Sequence, residues 1–167
     1  ATTEHASCSV DGKGRLAFRA AQGFAMRVEL AEVVVSPAPG LGVHRRFGGT
    51  DAVALLGDDS PFHKFSGAIE AVVASPDTRR FQVLRLDGTP IVVVESRLAA
   101  FSSGLEFESK SISLVESDIA TVRFTGKGEI VLLVDDALRA VTIGMGRDTR
   151  VRPDALVVAS ATTAHHA

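Results

Sequence analysis

The sequence predicts an all-β fold, an antiparallel β-sandwich or double-stranded β-helix that is built from duplicated units and contains at most one short helix. Two observations carry this prediction. Short runs of valine, isoleucine, leucine and phenylalanine recur along the chain, with turn residues between them. In addition, one long stretch of the chain is written twice.

The duplicated stretch opens at Phe65-Ser66-Gly67 and closes at 98–103, and about 58 residues later a second copy opens at Phe124-Thr125-Gly126 and closes at 156–160. Self-similarity at a fixed period marks a repeated structural unit. We therefore predict a single domain, 1–167, with internal repeats over about 65–103 and 124–160. A divergent third unit over 10–50 and a chance echo between valine-rich strands are the two alternatives.

From residue 65 onward the pattern is that of β-strands. Strands with turn signals every 8–12 residues are typical of sandwiches and barrels. The strands are predicted at Ile69–Ala74, Phe81–Leu86, Ile91–Val94, Ile119–Phe124, Ile130–Val134, Ala140–Ile143 and Ala155–Ala159. The turns are predicted at Pro76-Asp77, Asp87-Gly88, Gly126-Lys127-Gly128, Asp135-Asp136 and Gly144-Met145-Gly146.

Two of these strands carry information about burial. In the strand that ends at Phe124, the alternation of residue types places Val122 and Phe124 on the same face. In contrast, Val92-Val93-Val94 is continuously apolar, which indicates a strand that is buried on both faces.

The first third of the chain supports two interpretations. Four apolar residues recur at the spacing of one helical face: Leu16, Ala20, Phe24 and Val28. Gly23 interrupts this stripe and would weaken a helix by about 1 kcal/mol relative to alanine. Because the segment from Arg27 to Leu30 alternates as a strand does, and because the repeat requires a strand here, we predict a strand from Met26 onward.

One short helix is predicted over Thr50 to Leu56. Thr50 is a suitable N-cap, Asp51 lies in the first turn and Gly57 provides the C-terminal stop. The tail from Thr162 to Ala167 is expected to fray.

The amino-acid composition limits the classes of function that the protein can have. The chain has 167 residues, of which 46% are hydrophobic and 23% are charged, and this is a globular composition. A net charge of −2 does not favour a polyanionic partner, so no nucleic acid is expected. Cys8 is the one cysteine, which rules out an internal disulfide. We expect a cytoplasmic protein, since the sequence shows neither a signal peptide nor a stretch of ~20 apolar residues.

The aromatic residues also favour packing over recognition. The chain has nine phenylalanines but neither tryptophan nor tyrosine. Phenylalanine has no polar group, and residues that combine an aromatic ring with a polar tip are the ones enriched at wet binding surfaces. We therefore expect the phenylalanines to lie mostly in the core.

The motifs that usually carry chemistry are missing, so no catalytic, cofactor-binding or metal-binding residue is predicted. His5, His44 and His63 stand singly, and His165-His166 would point to opposite faces of a strand, which argues against a cupin-type metal site. The chain contains no Gly-x-Ser-x-Gly sequence. Gly126-Lys127-Gly128 precedes a strand and not a helix, so we interpret it as a turn and not as a phosphate loop.

Charged pairs are interpreted as surface features. The acidic pairs Asp58-Asp59 and Asp135-Asp136 lie at predicted turns, where carboxylates usually hold the backbone. The basic residues group at His44-Arg45-Arg46, His63-Lys64 and Arg79-Arg80. The first of these groups is predicted to be a solvated loop, with an acidic partner surface or an anion as the alternative.

The glycine and hydrophobic pattern from Phe124 to Leu132, continued over 138–143 and 150–160, resembles the family named for altered inheritance of mitochondria, in its mitochondrial-biogenesis and uncharacterised bacterial branch. The stretch from Gly57 to Gly67 resembles the same family. This resemblance implies a fold similar to that of the tryptophan RNA-binding attenuator protein, with duplicated antiparallel units. It also implies a scaffold role, and it supplies no catalytic residue.

The sequence thus predicts a non-catalytic β-scaffold that acts through a protein partner or through self-association, and not an enzyme. The alternatives are a small-molecule or sugar-binding barrel of the cupin type and a nucleic-acid-binding module. No cofactor is predicted, and a small-molecule ligand stays open.

Overall fold

The computed structural model describes residues 7–136, 138–142 and 150–160, and it is all-β. The strands of the first half are β1 (Ser7–Val10), β2 (Leu16–Ala20), β3 (Phe24–Arg27), β4 (Ala31–Val35), β5 (Leu41–Gly42), β6 (His44–Phe47), β7 (Thr50–Leu55), β8 (Phe62–Phe65) and β9 (Ile69–Val73). Those of the second half are β10 (Arg80–Asp87), β11 (Ile91–Val94), β12 (Leu98–Ser102), β13 (Glu106–Ser113), β14 (Asp118–Thr125), β15 (Lys127–Val134) and β16 (Val158–Ser160).

The helical structure of the described residues consists of three single 3-10 turns: η1 (Val28–Leu30), η2 (Glu95–Arg97) and η3 (Pro153–Ala155). All strand pairs are antiparallel, as predicted. The described residues contain no helix that is long and apolar enough to cross a membrane.

The strands form a layered sandwich. A six-stranded sheet, in the order β10-β15-β12-β3-β8-β5, contributes residues to both hydrophobic clusters of the core. The sheet β1-β2-β9-β4 contributes to one cluster, and the sheet β13-β14-β11-β16 contributes to the other. The six-stranded sheet is therefore the middle layer. A separate two-stranded sheet is formed by β6 and β7.

Strand β15 shows why the middle layer holds the fold together. Successive side chains of a strand point to opposite faces, and Val131 and Leu133 belong to one cluster while Ile130 and Leu132 belong to the other. All four side chains are buried. Strand β15 is thus buried along both faces, whereas Val92 in β11 is only half-buried.

Several predicted elements are confirmed. The strand Ile91–Val94 has the predicted bounds, and Val122 and Phe124 are buried in the same cluster. Gly126 forms the turn between β14 and β15 at φ 110°. Seven of the nine phenylalanines are buried, and the exposed exception is Phe47 on β6.

The helix predicted over Thr50–Leu56 is wrong, because Thr50–Leu55 is strand β7. Gly48 and Gly49 have φ of 56° and 80°, and positive φ at both central residues makes the tight hairpin turn that joins β6 to β7. Phe47 and Thr50 are paired across this turn. Thr50 is consequently the first residue of a strand and not the N-cap of a helix.

The first third of the chain forms strands and not a helix. The residues of the predicted helical stripe lie in β2, in β3 and in turn η1. The strand predicted from Met26 onward is split, since β3 ends at Arg27, η1 follows, and β4 begins at Ala31.

Near the C-terminus, two predicted strands differ from the structure. The described residues of the predicted strand Ala140–Ile143, which are 140–142, form no strand. Over Ala155–Ala159, turn η3 ends at Ala155 and strand β16 begins at Val158. Ile143, the turn Gly144-Met145-Gly146 and the tail 162–167 lie outside the described residues.

Two groups of five strands have the same pairing pattern. In the first strand group, β9 lies between β2 and β4, and β3 pairs with β8. In the second strand group, β15 lies between β10 and β12, and β11 pairs with β14. The register shifts between Ala31 and Val33 in β4, and between Leu98 and Ala100 in β12. These groups span 16–73 and 80–134, so they do not coincide with the predicted repeats 65–103 and 124–160.

Candidate functional site

Arg27, at the end of β3, is a buried charged residue, as are Glu95 and Glu129. The Arg27 guanidinium donates hydrogen bonds to four backbone carbonyl oxygens: Leu98 (2.7 Å), Gly57 (3.2 Å), Ser60 (3.0 Å) and Glu95 (2.7 Å). It also lies 4.7 Å from the centre of the Phe62 ring, within the range of a cation–π contact. Burial lowers the pKa of Arg27, although an arginine stays charged at any physiological pH.

A second arginine connects the β6–β7 hairpin to the sandwich. Arg45 donates from Nε to Glu95 Oε1 (3.1 Å), and its Nη2 donates to both Glu95 Oε2 (2.5 Å) and Asp58 Oδ2 (2.8 Å). The hydrogen bonds to Glu95 raise the pKa of Arg45 further. The prediction of a loop at His44-Arg45-Arg46 is wrong, because these residues lie in strand β6 and Arg45 has acidic partners within the chain.

The three 3-10 turns meet around a cavity of about 720 Å³. Residues of all three turns line it, including Glu29, Glu95 and Asp154. The arginines of its wall are engaged, since Arg27 holds backbone carbonyls and Arg97 binds Asp135 (3.1 Å) and the Asp154 carbonyl (2.8 Å). These bonds fix part of the wall of the cavity.

The histidines do not come together into a metal site in the part of the chain that is described. His44 is exposed on β6 and lies 3.2 Å from the Val53 carbonyl through Nδ1, while His63 is half-buried on β8. Within residues 7–136, 138–142 and 150–160, no three side chains of histidine, cysteine, aspartate or glutamate could hold a metal ion. His5, His165 and His166 lie outside the described residues.

Cys8 lies half-buried on strand β1. Burial raises the pKa of its thiol, and the nearby Glu129 carboxylate adds to this effect. At neutral pH, less of the thiol is therefore ionised than in a free cysteine, and the thiolate is the reactive form.

We expect alkylation of Cys8 by iodoacetamide at pH 7.5 to be several-fold slower than that of an exposed cysteine. The matched control is Val53→Cys with Cys8→Ser, because Val53 is 96% exposed. Mass spectrometry over time measures both rates. Equal rates would show that Cys8 is neither shielded nor shifted in pKa.

The remaining charged pairs form ion pairs on the surface. Asp135 binds Arg97, and Asp136 binds Arg80 at 3.2 Å. Arg79 binds Asp77, and this bond lowers the pKa of the Asp77 carboxyl. Lys64 is exposed on β8. Exposed ion pairs contribute little to stability, and none of these pairs forms a group suited to acid–base chemistry.

Among the sheet edges of the described strands, the outer edge of β4 is distinguished by its exposed valines. This strand ends its sheet, and in the described residues β9 is its one strand partner. Three successive valines lie along the strand: Val33, Val34 and Val35, which are 52%, 36% and 60% exposed. Edge strands present unpaired backbone groups, and natural proteins usually protect them with lysine, proline or a covering element. Within β4, the one charged residue is Glu32.

In the second strand group, the strand that corresponds to β4 is β12, and both edges of β12 are paired. Strand β12 follows turn η2 as β4 follows η1, and it pairs with β15 on one side and with β3 on the other. Its residues Leu98 to Phe101 are all buried. Strand β4 therefore has the composition of an internal strand but lies at an edge.

Comparisons of the chain with models of protein families, with curated proteins and with solved structures give no match. The family resemblance of the sequence thus stays a prediction. The function must be argued from the geometry of the chain itself.

Sequence reasoning predicted no site residue, and it missed the β4 edge. The apolar run itself was visible in the sequence, because Val33-Val34-Val35 contains neither lysine nor proline, and Ser36-Pro37 ends the strand immediately afterwards. Whether such a run is internal or at an edge depends on the number of neighbouring strands. The sequence of the run itself does not contain that information.

Proposed function

We propose that this protein is a non-catalytic β-scaffold that acts through protein–protein association at the outer edge of β4. The carrying observation is the exposed run of three valines on a strand that has a single strand partner, β9, among the described residues. Pairing with a further strand would satisfy the open backbone groups and remove the valine side chains from water.

The internal construction of the chain supports this role. The two strand groups have the same pairing pattern, and we propose that they are duplicated units that stack by strand pairing. The charged residues Arg27, Arg45 and Glu95 hold backbone and loops in place. A rigid stack that ends in an open, apolar strand is suited to assembly.

The test is the molar mass in solution, measured by size-exclusion chromatography with light scattering over a range of concentrations. The wild-type chain is expected to self-associate. The double variant Val33→Lys/Val35→Lys is expected to weaken association at least ~10-fold, roughly 1.4 kcal/mol, because lysine on an edge opposes pairing.

Val53→Lys is the control, since it also replaces an exposed strand valine by lysine, on β7, and it should leave association unchanged. Thermal unfolding of all three proteins checks that the fold is retained. A wild-type chain that stays monomeric at high concentration would contradict self-association, and equal effects of the two lysine variants would move the interface away from β4.

A further inference from the structure

One type of strand contact occurs twice in the described residues, each time with the same pattern. Strand β12 pairs with β3, and Ala100 lies opposite Met26. Strand β16 pairs with β11, and Val158 lies opposite Val93. Strand β12 follows turn η2, and its partner β3 precedes turn η1. In the same way, β16 follows η3, and its partner β11 precedes η2.

The register is the same in both contacts. Ala100 and Val158 each lie five residues after the first residue of their turns, Glu95 and Pro153. Their partners, Met26 and Val93, each lie two residues before the first residue of the preceding turn.

A third contact of this kind is incomplete within one copy of the chain. Five residues after the first residue of η1 is Val33, on the open edge of β4. Two residues before the first residue of η3 is Val151, which is 51% exposed and belongs to no strand. Both halves of the contact are thus present, and both are exposed.

We propose that β4 of one copy pairs antiparallel with residues 150–152 of a second copy, with Val33 opposite Val151. This inference rests on the proposed function and names its partner as a second copy of the chain. The contact is head-to-tail, because two different surfaces meet, so repeated pairing gives a ring or an open filament.

The two surfaces are complementary in chemistry. The register places one exposed valine opposite another. One step further along, it brings Glu32 of β4 beside Arg152, and opposite charges across an antiparallel pair are stabilising. Arg152 is exposed, with an ion-pair partner in Asp154 at the surface, and Glu32 has one in Arg15. Exposed ion pairs of this kind exchange readily.

Disulfide trapping tests the partner and the register together. Two chains are prepared in a Cys8→Ser background, one with Val33→Cys and the other with Val151→Cys. Residues opposite each other in an antiparallel pair have Cα atoms roughly 4.5–5.5 Å apart, which is within the range of a disulfide. We expect the mixture to give, under mild oxidation, a mixed disulfide at least ~10-fold more abundant than either symmetric disulfide, identified by mass spectrometry.

The register control replaces Val33→Cys by Val35→Cys, which lies two residues further along the strand and out of reach of position 151. It should reduce the mixed disulfide several-fold. A Val33→Cys/Val151→Cys double variant should form oligomers linked by disulfides. A monomer with an internal disulfide would overturn the proposal, as would a symmetric Val33→Cys dimer as the main product.

The failure of this inference can be told apart from failure of the proposed function. If the lysine variants of β4 lose association and yet no mixed disulfide forms, the β4 edge is an interface with a different partner strand. If the wild-type chain is a strict monomer, the proposed self-association and the head-to-tail contact are both wrong.

Discussion

Replacing Arg27 with methionine is expected to lower the free energy of unfolding by about 3 kcal/mol or more. Methionine occupies a similar space but donates no hydrogen bond. The carbonyl oxygens of Leu98, Gly57, Ser60 and Glu95 would lose their donor in the interior. Each buried acceptor without a partner costs roughly 1–3 kcal/mol, and partial relaxation of the loop keeps the total below the sum.

Urea unfolding measures this loss as a shift of the midpoint at constant slope. The protein concentration must be low and equal, because self-association would add to the apparent stability. Arg19→Met is the control, since Arg19 is exposed on β2 and its ion pair with Glu70 is a surface pair, so its loss should change the stability by less than about 1 kcal/mol. A change within 1 kcal/mol for Arg27→Met as well would show that the four hydrogen bonds are not needed.

Arg27→Lys separates the charge from the geometry. Lysine keeps the positive charge, but its three donors are on one nitrogen and cannot span four carbonyls as a planar guanidinium does. We expect a stability between those of the wild type and Arg27→Met.

The strands of the second half could be predicted because their sequences carry the local signals of strands. Ile91–Val94 is a run of β-branched residues, and the turns that flank β10 and β14 contain glycine with positive φ, at Gly88 and Gly126. Strand β13 was missed because it is an edge strand with many exposed polar residues, and Glu106–Ser113 shows no apolar run.

The β6–β7 hairpin was misassigned for a different reason. The sequence from Asp51 to Leu56 is rich in alanine and leucine, which favour a helix when the residues are considered alone. The Gly48-Gly49 pair, a known signal for a two-residue hairpin turn, outweighs this preference. Contacts from β6 to β13, such as the hydrogen bond from the Arg46 amide to Ser109 Oγ, then hold the hairpin in place.

The hydrogen bonds of Arg27 and Arg45 could not be predicted, because they join distant parts of the sequence. Arg27 binds carbonyls that lie 30 to 71 residues further along the chain. Arg45 and Glu95 are 50 residues apart. The composition of β4 was visible in the sequence, but its place at the edge of a sheet follows only from the strand order.

Replacing Phe101, in β12, with alanine is expected to cause the second large loss of stability. Phe101 is 3% exposed in β12, and its ring lies 5.1 Å from Phe124, 5.6 Å from Phe107 and 5.7 Å from Phe62, measured between ring centres. Removing it would leave a large cavity between the middle sheet and the sheet that contains β13 and β14. We expect a loss of about 3–5 kcal/mol in the free energy of unfolding.

Val34 is the matched position in β4, because it lies six residues after the first residue of η1, as Phe101 does after that of η2. Val34→Ala removes a partly exposed side chain and should cost less than about 1 kcal/mol at low protein concentration. Urea unfolding of both variants measures the contrast. Because the proposed self-association would bury β4, the cost of Val34→Ala should grow as the protein concentration rises, whereas that of Phe101→Ala should stay constant. A Val34→Ala cost that is independent of concentration would mean that the edge of β4 remains in water and is not the surface through which this protein assembles.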